Sequence, residues 1–340
     1  MKNQFNILII TPNWLGDQIM AQSLYIALKK RHTSCQIDVV TSEKFKGLYQ
    51  RMPEINNILI FENKHNKLDL KKRWLFSKKI RKKSYSLAII LPLSLKATLI
   101  PFFAGIKKRR AWSNQRYGLI NESQPLDQKK HTHSALKQVE QYLALQKFPF
   151  EIKKKFIPKL KESKDKQETI LKKFKINTQQ KILICCPGSA YGPSKQWPLH
   201  HLKDLCVHYL EKNWEIILLG TEKEKEICQN IKKNCPKVKN LCMKTKLEDV
   251  IDLMSTATWI ISNDSGLMHL AAATQQKQIA IFGSSSPLFT PPLNKNAHII
   301  FQNLNCSPCF KRVCPLKHNE CLETISSEQV IKKIHENSYH

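Results

Sequence analysis

The chain has 340 residues, enough for two α/β domains that each bury a core of their own. It carries 56 Lys and Arg against 27 Asp and Glu, a formal net charge of +29. A surplus of that size asks for an anionic partner, unless it reflects no more than a lysine-rich solvated surface. No repeat of 20 to 50 residues is present, and no secretory leader is expected, because the apolar run at 6–10 is short and lacks a small-residue cleavage site.

In chain order, the run Asn6–Ile10 predicts a buried strand, followed by the turn Thr11-Pro12-Asn13-Trp14-Leu15-Gly16-Asp17 and a helix with Ile19, Leu24 and Leu28 on its apolar side. Gly16 permits the turn. Asp17 opens the helix, where a carboxylate is an ordinary N-cap as well as a candidate general base. Further strands are predicted at 36–41, 58–61 and 87–91. The run 64–83 interleaves Leu68, Leu70, Trp74, Leu75, Phe76 and Ile80 with ten Lys or Arg residues, which suits an anionic membrane surface. Residues 87–106 are mostly apolar and of bilayer length, but Pro92, Pro101 and the central Lys96 predict a strand, a turn and a short helix in place of a span. A second basic cluster follows at 107–110, with Trp112 and Arg116. Residues 151–179 are lysine-rich and read as a linker plus the first helix of a second domain.

The second set of strands is predicted at 181–186, 215–219, 258–262, 278–282 and 297–301, so two sheets are expected. The loop 187–198, PGSAYGPSKQWP, stands where an α/β domain places its ligand, and it offers the Ser189 hydroxyl and the Lys195 charge, without the spacing of a Walker loop. Glu222 or Glu224, just after the next strand, is placed to bind ribose hydroxyls; a solvated surface is the alternative for both. The segment 262–270, SNDSGLMHL, is the most informative. A polar turn leads into a small-residue helix starting near Ser265, so Ser265, Gly266 and the free N–H groups form an anion cradle, with Asp264 and His269 in reach of the same ligand. An N-capped core helix is the bland alternative. The loop 283–292 closes the same edge. Met254 and Trp259 read as core.

Of the 11 cysteines, Cys35, Cys185, Cys186, Cys206, Cys228, Cys235 and Cys242 are scattered and expected to be inert buried residues. Cys306, Cys309, Cys314 and Cys321 cluster four thiols in 16 residues, a spacing open to a structural zinc or iron–sulfur site, to a disulfide or to plain thiols.

Taken together, TPNWLGD after the first strand, RMPEI at 51–55, PFFAGI at 101–106, RYGL at 116–119, PGSAYGPSKQWP and SNDSGLMHLAAA resemble the lipopolysaccharide heptosyltransferases, in one order along nearly the whole chain. The resemblance implies a GT-B glycosyltransferase: two Rossmann-like domains facing each other across a cleft, at 1–160 for the acceptor and 175–325 for the nucleotide sugar, then a C-terminal helix at 326–340. It also implies an inverting transfer from ADP-L-glycero-D-manno-heptose to a lipid A-core acceptor, with Asp17 as base. Lys195 and the cradle would stabilise the leaving ADP, so no cofactor or metal is expected in catalysis. Ser94, Lys96, Arg116 and Gly16 are expected on the acceptor side. A monomer is expected, cytoplasmic and held peripherally at the inner membrane. The competing class, a basic nucleic-acid-binding protein, would share the charge, but no helix-turn-helix, zinc-finger or RNP-type signal accompanies it, so no nucleic-acid partner is expected.

Overall fold

The computed structural model describes residues 5–62, 67–113, 118–125, 138–147 and 156–338. They form two compact units that divide between Pro158 and Lys159. The first holds β1 (Asn6–Ile10), β2 (Gln36–Thr41), β3 (Asn57–Ile60), β4 (Leu87–Ile90), β5 (Arg109–Trp112) and β6 (Glu122–Gln124), all parallel, in the order β3-β2-β1-β4-β5-β6. The continuous apolar run of β1 follows from its central place: Ile7, Leu8 and Ile9 are fully buried, as a parallel strand covered on both faces requires. Ile19, Leu24 and Leu28 line the buried side of the helices Leu15–Met20 and Gln22–Arg31, as the periodicity predicts.

The second unit holds β7 (Ile182–Cys186), β8 (Glu215–Leu218), β9 (Lys239–Asn240), β10 (Trp259–Asn263), β11 (Gln278–Phe282) and β12 (Ala297–Phe301), again all parallel, in the order β12-β11-β10-β7-β8-β9. Each sheet therefore has the doubly wound order of a Rossmann-like domain, with its direction reversing between β1 and β4 in one and between β7 and β10 in the other. Ligands of such sheets bind beyond the carboxyl ends of the strands at that reversal. The helix Ser327–Glu336, started by a capping box at Ser326 and Gln329, packs Val330 and Ile334 beside Leu205 and Tyr209 of the helix Leu199–Glu211. Each such buried aliphatic side chain contributes about 2 kcal/mol.

Residues 87–106 form β4, a turn and the helix Leu95–Phe103, and among the described residues no helix is long and apolar enough to cross a membrane. Met254 and Trp259 are core, and all seven scattered cysteines are buried. Burial pushes the Cys186, Cys228 and Cys235 thiols up.

Three strands were not expected from the sequence: β5, β6 and β9. Two of them change the reading of the basic cluster at 107–110. Arg109 donates to the carbonyls of Leu119 (2.7 Å) and Ile106 (2.7 Å). Arg110 pairs with Glu122 at 2.6 Å, directly across from it on β6, and donates to the carbonyl of Leu145 at 3.0 Å. These two guanidinium groups bind the sheet's own edge, which is why they are not offered to an acceptor's phosphates.

Candidate functional site

At the reversal between β1 and β4, a cavity of about 400 Å³ is lined by Pro12, Asn13, Trp14 and Asp17 from the turn after β1, by Leu91, Pro92, Leu93 and Ser94 from the turn after β4, and by Trp112, Gln138, Gln141 and Tyr142. Asp17 is not the helix cap that its place in the sequence allows. Trp14 takes the N-cap position with extended backbone, no side chain caps the helix, and Asp17 lies in its first turn, where the helix dipole favours a carboxylate. Its Oδ1 accepts a 2.9 Å hydrogen bond from the Tyr142 hydroxyl. Gly16 is buried beneath it. Ser94 caps the helix Leu95–Phe103 by position only and lines the cavity, whereas Lys96, half-buried in that helix's first turn, is not among the lining residues. Arg116 lies outside the described residues, as do 64–66 of the basic run at 64–83.

The second group forms at the reversal between β7 and β10. Asn263, at the end of β10, donates to the Pro187 carbonyl at 2.6 Å and accepts from the Trp197 N–H at 3.1 Å, so it ties both ends of the loop 187–198 to the strand. Within that loop the Lys195 ammonium is not the mobile charge that the sequence leads one to expect. It is ion-paired with Asp264 Oδ2, which also accepts from the Ser285 hydroxyl, and it lies 4.8 Å from the centre of the Tyr191 ring. His269 is buried beside this pair; burial first, and Lys195 after it, outweigh Asp264 and push its pKa down to about 4, so the imidazole is neutral at ordinary pH.

Ser265 is the N-cap of the helix Gly266–Ala273, again without a side-chain cap bond. The Ser265 and Ser189 hydroxyls are buried with no hydrogen-bond partner among the described residues. Orphaned buried donors are rare in native proteins and mark a place where a partner of another kind is met. Glu222 and Glu224 part company. Glu222 is exposed and pairs with Lys225 at 3.7 Å. Glu224 is buried, closes a capping box on Thr221 with two 2.7 Å bonds, and lies against Gly188, where any Cβ would come within 2.2 Å of its Cγ. Gly188 is therefore required by the carboxylate above it. Beyond β8 and β9, Lys173, Lys175, Lys225, Leu241 and Met243 help to line a basic hollow of about 670 Å³.

The loop after β12 supports this group from outside. Tyr191 donates to the Phe310 carbonyl at 2.6 Å, Ser194 donates its hydroxyl to the Lys311 carbonyl and its N–H to the Arg312 carbonyl, and the Phe310 N–H donates to the Ser284 carbonyl at 2.6 Å. The same loop carries Cys306, Cys309 and Cys314, and the short helix Glu320–Glu323 that follows carries Cys321, all four free and half-buried. Burial and the three neighbouring thiols push Cys321 up to about 11. At Cys314 burial, which raises the thiol, is outweighed by the backbone N–H groups of Asn319, Leu316, Lys317 and His318 acting together, which hold it below the ordinary value. No three of the four sulfurs lie within 4.8 Å of one another, so the ligand set of a tetrahedral zinc site is not assembled. Among the described residues, the ligand atoms that do converge to that distance are those of His200, His201 and Glu323.

Sequence reasoning missed Trp14, Tyr142, Asn263 and Ser285. Trp14 alone left a signal, as a large apolar residue in a polar turn, and it is 57% exposed beside Asp17.

Comparison with known proteins agrees with this layout. The model of glycosyltransferase family 9 (heptosyltransferase) matches residues 73–320. The chain is 38% identical to lipooligosaccharide heptosyltransferase 2 of Haemophilus influenzae over 87% of this chain and 88% of that one. It is 32% identical to lipopolysaccharide heptosyltransferase 2 of Salmonella typhimurium over 97% of each. The solved structure of Escherichia coli ADP-heptose lps heptosyltransferase II superposes with a TM-score of 0.85 at 29% identity, covering 98% of this chain and 99% of that one. A family 9 glycosyl transferase from Veillonella parvula shares the fold at a TM-score of 0.86. With two doubly wound parallel sheets of the GT-B type and a family match over most of its length, the chain belongs to glycosyltransferase family 9, the heptosyltransferases.

Proposed function

We propose that this glycosyltransferase moves a heptose from ADP-L-glycero-D-manno-heptose onto the heptose already carried by Kdo2-lipid A, with inversion at the anomeric carbon. The donor class is supported by its relatives, which are named heptosyltransferase 2 of lipopolysaccharide or lipooligosaccharide and, for the solved structure, ADP-heptose lps heptosyltransferase II. The observation in this chain that carries the reading is the group at β7 and β10: a fixed ammonium, two partnerless buried hydroxyls and a helix N-terminus, which together suit a diphosphate.

In this reading Asp17 takes the proton of an acceptor hydroxyl as its oxygen attacks the anomeric carbon. The bond from that carbon to the diphosphate breaks, its electron pair leaves with ADP, and the growing charge is met by Lys195 and the N–H groups at Ser265 and Gly266. Asp264 serves the site through Lys195, which it holds in place. Ser189 binds a diphosphate oxygen, Glu224 stands toward the ribose, and the base extends over β8 toward Met243. His269, being neutral, adds a hydrogen bond and no charge. The acceptor sugar lies in the cavity beside Trp14, whose exposed ring offers an apolar face to a pyranose. The exposed Leu70, Trp74 and Leu75 among the lysines of the helix Leu70–Arg81 hold the enzyme on the cytoplasmic face of the inner membrane.

The test is mass spectrometry of core-truncated lipopolysaccharide acceptors incubated with the enzyme and a panel of nucleotide sugars. One added heptose is expected from ADP-heptose, on the acceptor that already bears a heptose. Transfer from a different nucleotide sugar alone, or onto the acceptor without heptose alone, overturns the reading.

A further inference from the structure

The turn after β1 is gripped from behind by buried phenols. Gln18 donates to the Pro12 carbonyl at 2.7 Å and accepts from the Tyr49 hydroxyl, which lies 3.4 Å from the hydroxyl of Tyr25. These contacts fix the backbone of the turn. A third phenol, from a helix more than a hundred residues later, reaches the carboxylate itself: Tyr142 of the helix Gln138–Ala144, 4% exposed, donates to Asp17 Oδ1 at 2.9 Å. That helix packs against both helices of the turn and buries Val139 and Leu143 beside Tyr142, so the phenol is held by its own packing.

We infer that Tyr142 is a positioning residue for the general base: its hydroxyl fixes the rotation of the Asp17 carboxylate and sets the carboxylate's basicity. This rests on the reading that Asp17 is the base. A hydrogen bond to the charged form of an acid favours that form, so the donor keeps the carboxylate ionised and oriented as the acceptor hydroxyl arrives. The donor itself does not titrate in competition. Burial, and next the charge of Asp17, push the Tyr142 phenol well above its ordinary value, so it stays protonated over the working range.

The experiment compares Tyr142→Phe, Asp17→Asn and the double variant in the full-length enzyme, with kcat, donor KM and the pH profile of kcat/KM as readouts. Tyr142→Phe is expected to lower kcat by about tenfold, the scale of a hydrogen bond to a charged group, with donor KM unchanged. It is also expected to move the acid limb of the profile to higher pH, since a carboxylate that loses a donor is more basic. The double variant should be no slower than Asp17→Asn, because Tyr142 acts through Asp17. Placing 3-fluorotyrosine at 142, a stronger donor of nearly the same shape, should move the acid limb the other way without unfolding the helix. An unmoved profile in both Tyr142→Phe and the fluorinated enzyme, beside an inactive Asp17→Asn, overturns the role of Tyr142 and leaves the base intact. A fully active Asp17→Asn removes the base, and with it this inference.

Discussion

Lys195, Asp264 and His269 divide one small volume between a cation, an anion and a neutral ring. Lys195→Ala removes the charge that meets the diphosphate, so we expect both a weaker donor KM and a kcat lower by about a hundredfold, the scale of one lost electrostatic donor. A KM effect with kcat unchanged would confine Lys195 to binding. His269 gives a pH dependence of stability with a definite sign. The native ring takes a proton only near pH 4, whereas the unfolded chain takes it near the ordinary value of 6.5, so between those values the unfolded state binds more protons. The stabilisation from the neutral ring is complete above the ordinary value and falls as pH drops toward about 4, by about 3 kcal/mol. Urea melts of wild type and His269→Gln across that window should show a slope in the first that is missing from the second. Parallel slopes would show that His269 is not the group responsible. At this scale the motif residues were legible because turn chemistry is local. Tyr142 was not, since its partner is 125 positions away and nothing near it announces the contact.

Among the elements, strands with apolar, β-branched runs were legible, the edge strands β3 and β12 included, and the polar strands β5, β6 and β9 were not. β1, β2, β11 and β12 fall where apolar, β-branched runs place them. β5 reads Arg-Arg-Ala-Trp and β6 Glu-Ser-Gln, which carry no such pattern; their pairing rests on the ion pair of Arg110 with Glu122 across the two strands. The helix Leu70–Arg81 was legible as amphipathic, but its inner side is not purely apolar: Arg73 is buried there, with its Nε bonded to the Leu68 carbonyl at 2.8 Å and its guanidinium over Phe61. Its outer side leaves Leu70, Trp74 and Leu75 about half exposed, with Lys78 over the Trp74 ring. Vesicles containing anionic lipid should therefore bind the enzyme, each basic group near the surface adding about 1 kcal/mol, and Trp74→Glu should weaken sedimentation while leaving turnover on a soluble truncated acceptor intact. Equal sedimentation of the variant and wild type would place the membrane contact elsewhere.

In the molecule as a whole, the same strand order occurs twice, and each unit brings its chemistry to the reversal of its own sheet: a carboxylate in the first, a cation and a helix N-terminus in the second. Because Lys195 and the helix supply the positive charge a metal would bring, turnover should persist in EDTA; loss of activity restored by magnesium, with the fold unchanged, would refute that division of labour. The two-sheet organisation was legible from the clustering of strand runs. The outer support of the second site was not, because it is made by main chain. Tyr191, Ser194 and the loop after β11 are held through the backbone of Phe310, Lys311 and Arg312.

Every residue type has a carbonyl, so the acceptors of the segment 310–312 are free in their letters and bound in their count; position 310 is narrower, because the Phe310 N–H donates to the Ser284 carbonyl and its φ is +54°. Exchanging the side chains of Lys311 and Arg312 one at a time should leave transfer near wild type, whereas deleting a single residue from the segment shifts all of those acceptors out of register together. A library scan of this segment should accordingly be permissive to substitution at 311 and 312 and intolerant of one-residue gaps. If such gaps are as harmless as substitutions, this stretch does not set the position of Lys195.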